Sequence, residues 1–168
     1  KGNLLPVVTR QHRPEKIPLS FSQERLWFID KLQGSVNYHM PTVLRVKGAL
    51  DVDALRYSFQ GLVNRHEVLR TVFKEEEGQA YQQVGGEDQW KGLTYKEGGV
   101  GADRSSLTTY IEQEVSRPFD LSSDPMLRVD VVRLSAEDHL LIVVLHHVAS
   151  DGWSQSLFVS EVMFLYGC

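Results

Sequence analysis

Cysteine occurs once in these 168 residues, at Cys168. A lone terminal thiol excludes an internal disulfide and a cysteine metal cluster. Clustered basic charge is also missing: 18 Lys and Arg stand against 22 Asp and Glu, a formal net charge of -4, and no run of Lys or Arg offers a footprint for a phosphate backbone. No nucleic-acid partner is expected. Apolar runs of membrane-spanning length are absent too, and the segment from Lys1 to Lys16 carries no signal-peptide core. No membrane partner is expected, and the setting is expected to be cytoplasmic. What remains is ample for one packed domain, since 42% of the residues are hydrophobic and a chain of this length can bury a core on its own.

The order of elements is read from period and punctuation. Ser20 or Ser22 caps a helix running through Asp30 or beyond, with Leu26, Ile29 and Leu32 on one face. Thr42 to Val46 alternates as a strand, Gly48 breaks it, and Asp51 caps a second helix whose Val52, Leu55, Phe59, Leu62 and Val63 follow the 3.6-residue period. Leu69 to Phe73 and Ala80 to Val84 form a hairpin around the solvated turn Glu75 to Gly78. Gly98 to Gly101 is a loop. Leu107, Tyr110, Ile111 and Val115 mark a third helix that Pro118 ends. Met126 to Leu134 and His139 to Leu145 form a second hairpin. A last helix, for which Ser154 is an available cap, shows an apolar side of Trp153, Leu157, Val162 and Leu165. Hairpins mixed with helices predict an α+β fold, helices packed on a mostly antiparallel or mixed sheet.

The most informative stretch is LLIVVLHHVASDGWS, Leu140 to Ser154. Its unbroken aliphatic run reads as a buried central strand that ends at two histidines and a turn. Side chains alternate across a strand, so His147 shares a face with Leu145 and Val143 while His146 shares the other with Val144 and Ile142. Only one imidazole therefore faces a given cleft. Diverging histidines without a further ligand cluster also argue against a metal site of His146, His147 and Asp151.

Three ordered motifs carry a family resemblance. HHVASDG is similar to the HHxxxDG signature of the condensation domains of nonribosomal peptide synthetases, and more distantly to the HxxxD signature of chloramphenicol acetyltransferase-like acyltransferases. PLSFSQERLWFIDKL (Pro18 to Leu32) resembles the opening SxAQxRLWxL motif. NRHEVLRTVF (Asn64 to Phe73) resembles RHExLRTxF, and RPFDLSSDPMLRV (Arg117 to Val129) resembles the segment leading into the histidine strand. Trp153 directly follows Gly152, as in HHxxxDGWS peptide-forming members, rather than as in the HHxxxDxxSW of epimerization domains. One departure is His39 in NYHMP, where YNxP is more usual.

The resemblance implies a chloramphenicol acetyltransferase-like lobe over residues 18–168, preceded by an interdomain linker at 1–17, with the second lobe of the family absent. It implies that the second histidine, His147, faces the reaction channel as general base or as positioner of the α-amine. Backbone N–H groups around Gly152, at the start of the last helix, are candidate oxyanion donors. Asp151 is implied to turn away into an ion pair with Arg65 or Arg70 that fixes the turn, with His146 packed behind the strand. Gln23, Arg25 and Trp27 are further candidates for channel contact. The activity implied is transfer of a donor acyl or peptidyl group from one carrier-protein thioester to the α-amine on another. No cofactor is expected on the chain itself, which lacks a serine in a DxGGxS-like context; the substrates ride on the phosphopantetheine of upstream and downstream peptidyl carrier domains. Alternatives are a stand-alone acyltransferase using coenzyme A, and a non-catalytic carrier-docking lobe. The isolated lobe is expected to be inactive, and to form a homodimer through the face that would meet the second lobe.

Overall fold

The computed structural model describes residue 9, residues 12–98, 100–101 and 103–167. The element order is β1 (Ile17–Pro18), α1 (Phe21–Gln33), β2 (His39–Lys47), α2 (Val52–Arg65), β3 (Thr71–Glu76), β4 (Gln79–Val84), β5 (Thr94–Glu97), α3 (Arg104–Ser116), β6 (Leu127–Ser135), β7 (Asp138–His146) and α4 (Gly152–Tyr166). Much of the linker expected at 1–17 lies outside the described residues, as do Gly99 of the expected glycine loop and Cys168.

The strands form two sheets, a small one ordered β1-β4-β3 and a larger one ordered β2-β7-β6-β5. All pairs are antiparallel except β5 with β6. Helices pack on both faces of the larger sheet, and mixed helices and sheets make the fold α+β. Strand β7 is central, and every residue in it is buried. Its Leu141, Val143 and Leu145 join α2 and α4 in one core, with Phe59, Leu62 and Val63 beneath them. Its Leu140, Ile142 and Val144 join the other core, where Leu107, Phe119 and Met126 meet partly buried residues of α1 and α3. Burial on both faces explains why β7 reads as a continuous aliphatic run rather than an alternation.

The helix caps follow the sequence chemistry. Ser20 caps α1 in a reciprocal box with Gln23, satisfying two end groups of the helix at once, and Asp51 accepts from Ala54 N at 2.9 Å. The cap of α4 is Asp151 and not Ser154. Asp151 Oδ1 accepts from Ser154 N at 2.8 Å and from Ser154 Oγ at 2.6 Å, so the serine is the capped residue. Two expected apolar faces are also revised, because Leu32 of α1 and Trp153 of α4 are 70% and 89% exposed. Leu69, expected to open a strand, lies in a one-turn 3₁₀ segment, Glu67–Arg70. Its carbonyl accepts from Met126 N, and Phe73 N donates to Leu121 O, which ties the small sheet to the segment leading into β6.

Candidate active site at the end of the histidine strand

Strand β2 runs beside β7 in a register that pairs His39 with His146. One residue further, His147 N donates to Tyr38 O at 2.9 Å, so the backbone is held to the point where the side chains diverge. His146 turns inward and is fully buried. Its Nδ1 accepts from Val148 N at 3.1 Å, which leaves the proton on Nε2. That nitrogen donates to Ser35 Oγ at 2.8 Å, and the serine hydroxyl donates on to Asp30 Oδ1. Burial, reinforced by the nearby His39, lowers the His146 pKa to about 4. It is a neutral core histidine, packed edge-on against Phe119 and His39.

His147 turns outward and is exposed. Its Nδ1 lies 2.6 Å from the carbonyl of Ser150, which can only accept, so Nδ1 carries the hydrogen. The lone pair on Nε2 is then left without a partner among the described residues. Beside the ring opens a cleft of about 490 Å³, walled by Arg25 and Leu26 of α1, Tyr38, Val68 and Asp151. The arrangement presents one basic nitrogen, of fixed tautomer, to a space large enough for a small acyl or aminoacyl group.

The supporting residues are placed differently from the expected ion pair. Asp151 commits its carboxylate to the α4 cap, and hydrogen bonds from Ser154, first its hydroxyl and then its backbone N–H, lower its pKa. Arg65 instead approaches Glu161 of α4, at 3.9 Å. Arg70 donates to the backbone carbonyls of Val63, Gly85 and Asn64. Both arginines lie on the α2 side of the turn, where carbonyls at the end of α2 and a carboxylate of α4 are closer acceptors than Asp151. Gly152 is the first residue of α4 and has nothing within 4 Å of where a Cβ would stand. Its N–H has no acceptor among the described residues, and it is not part of the cleft wall.

Of the α1 candidates, Arg25 reaches the cleft. Gln23 serves the cap and donates to Gln82, and Trp27 faces a separate groove beside Lys31. Sequence reading missed Ser35 and Asp30 behind His146, and also His66, whose Nε2 lies 2.6 Å from Glu161 Oε2. A signal existed for the last pair: Glu161 is the one charged residue in an otherwise uncharged α4. Among the described residues no group of three or more His, Cys, Asp or Glu is placed to hold a metal ion, and no helix is long and apolar enough to cross a membrane.

The condensation-domain family model matches residues 14–167. The chain belongs to the condensation-domain family. It is 35% identical over 166 residues to a linear gramicidin synthase protein of Brevibacillus parabrevis, covering 97% of this chain and 3% of that protein. It is 37% identical over 162 residues to the dimodular nonribosomal peptide synthase of Bacillus subtilis, covering 89% of this chain and 6% of that one. Among solved structures, the X-domain in its complex with OxyB from teicoplanin biosynthesis superposes with a TM-score of 0.82 at 28% identity, over 96% of this chain and 35% of that chain. The chain thus spans about a third of the length of this solved relative and a few per cent of the synthetases.

Proposed function

We propose that this chain is the histidine-bearing lobe of a peptide-bond-forming condensation domain, with residues 18–168 as the lobe and 1–17 as a linker, working in the cytoplasm between two carrier proteins. The observation that carries the reading is the exposed His147, with Nδ1–H held by the Ser150 carbonyl and Nε2 free in the cleft. Nε2 takes a proton from the attacking α-amine as its nitrogen bonds to the thioester carbonyl carbon. The carbon–sulfur bond then breaks, and the departing pantetheinyl thiolate receives that proton. The free N–H of Gly152, at the positive end of α4, is the candidate donor to the developing oxyanion; it lies outside the cleft wall, so the thioester carbonyl would have to reach past Asp151 to meet it. His146 and Asp151 hold the turn through their own contacts, while Arg65 and Arg70 support it from the α2 side, through Glu161 and through the carbonyls of Val63, Asn64 and Gly85.

The test is amide formation between two loaded carriers by the full-length domain. General-base loss costs about 10²- to 10⁴-fold, so His147→Ala should lower turnover by that range, and turnover within a few-fold of the parent overturns the assignment. Acyl transfer from coenzyme A thioesters with no carrier present would instead favour the stand-alone acyltransferase.

A second reading, a carrier-docking lobe without catalysis of its own, draws on the X-domain relative, which was solved in complex with OxyB. Titration with loaded carrier, followed by NMR, supports docking if a contiguous patch shifts and counts against it if nothing moves. The exposed Leu157, Met163 and Phe164 of α4 support the homodimer proposed for the isolated lobe, in which no turnover is expected. A strictly monomeric sedimentation profile at high micromolar concentration overturns the dimer.

A further inference from the structure

Helix α4 presents a problem of orientation. It is apolar all round: Phe158, Val162 and Tyr166 pack inward, while Trp153, Leu157, Val159, Met163 and Phe164 are more than half exposed. An amphipathic helix chooses its rotation by burying its one apolar stripe. With apolar residues on every side, rotating this helix about its axis exchanges one apolar set for another, and burial alone discriminates weakly between settings. Yet α4 begins at its cap Asp151, directly after Ser150, whose carbonyl fixes the tautomer of His147. The rotation of α4 is therefore set by something directional.

Glu161 supplies the direction. It is the one charged residue of the helix, its side chain is 15% exposed, and its Oε2 lies 2.6 Å from His66 Nε2 at the end of α2. Arg65 approaches its other oxygen. A largely buried charge left without these partners is costly, so settings of α4 that turn Glu161 away from His66 are disfavoured. A second tether works at the far end, where Asp51 N donates to Tyr166 Oη at 3.1 Å. Between the two the helices are in contact, since a Cβ at Gly61 would stand at van der Waals distance, 3.4 Å, from Leu165 Cδ1. His66 also lines a small cavity of about 110 Å³ whose other walls include Ser150 and Ser154, so it stands across that space from the turn.

We infer that His66 and Glu161 are positioning residues, which fix the rotation and register of α4 and through it the turn that orients His147. The inference rests on the proposed role of His147, but its decisive readout does not. In the full-length domain with ¹⁵N-labelled histidine, the His147 ring nitrogens should show the Nδ1–H tautomer. Glu161→Ala should keep the domain folded, judged by its circular dichroism, while the His147 signals shift toward mixed tautomers or broaden and the Trp153 indole resonance splits. Glu161→Gln, whose amide oxygen still accepts from Nε2–H, should restore the parent pattern. Sub-ångström to ångström misplacement of a catalytic group costs up to about 100-fold, so kcat should fall about ten-fold or more in Glu161→Ala with KM little changed. An unaltered His147 tautomer in a folded Glu161→Ala domain overturns the inference. If the tautomer responds but turnover does not, the positioning stands and the catalytic role of His147 is what fails.

Discussion

The carboxyl end of β7 has two sides, and they are built in opposite ways. Behind the strand, His146 is closed into a chain of hydrogen bonds, from Val148 N through both ring nitrogens to Ser35 and Asp30. In front, His147 makes one side-chain hydrogen bond, and its second nitrogen is left open to a cleft. The two residues are adjacent, so the difference is made by strand alternation and by the turn, not by residue type. A satisfied imidazole holds structure and a half-satisfied one is available for chemistry.

That comparison breaks most sharply by truncating each ring in turn. His147→Ala should abolish about 10²- to 10⁴-fold of turnover while shifting the urea midpoint little, since the ring is exposed. His146→Ala should behave in reverse as a stability defect. Removing a fully buried ring leaves a cavity, strands the Val148 N–H and takes away the N–H that Ser35 Oγ accepts, together about 3 kcal/mol. If the two variants lose stability equally, the division of labour is wrong.

Acid sharpens the same contrast. His146 is held at a pKa of about 4 in the fold, against 6.5 when free, so as pH falls the unfolded chain takes up this proton first. Stability from the neutral ring is full above pH 6.5 and is lost progressively between 6.5 and 4, by about 3 kcal/mol in total. His39, also lowered by burial, adds loss of the same sign. Urea midpoints measured at pH 7, 5.5 and 4 should fall in step, and His146→Gln, which does not titrate, should flatten much of the slope.

How much of this was legible in the sequence depended on whether a signal was local. The strand β7, the α2 stripe and the cap Asp51 are written in short-range patterns, which also narrowed the α1 cap to Ser20 or Ser22, and alternation alone assigned His146 and His147 to opposite faces. What escaped was set by neighbours far along the chain. The four residues of β5, Thr94–Glu97, carry little apolar character and become a strand because β6 offers a parallel edge. Ile17–Pro18 is likewise a strand through pairing with Tyr81 and Gln82. Trp153 looked like core because it is large and apolar, yet its side of α4 is bare. The residues behind the site, Ser35 and Asp30, sit more than a hundred positions before His146, and no spacing rule reaches that far.

The smallest expected effects bear on Asp151, where two arrangements make different demands on the same carboxylate. As the cap of α4 it needs an oxygen acceptor for Ser154, and asparagine serves that role about as well as aspartate. As the partner of an arginine it would need its charge. Asp151→Asn should therefore shift the denaturation midpoint clearly less than Asp151→Ala, the residual reflecting the lost negative charge at the helix amino end. Arg65, which is 71% exposed and 3.9 Å from Glu161, should tolerate alanine within about 0.5 kcal/mol, as exposed pairs of this length do. Equal losses in Asp151→Asn and Asp151→Ala, together with a comparable loss in an Arg65→Ala or Arg70→Ala variant, would restore the ion pair and displace the cap as the reason for an acid at this position.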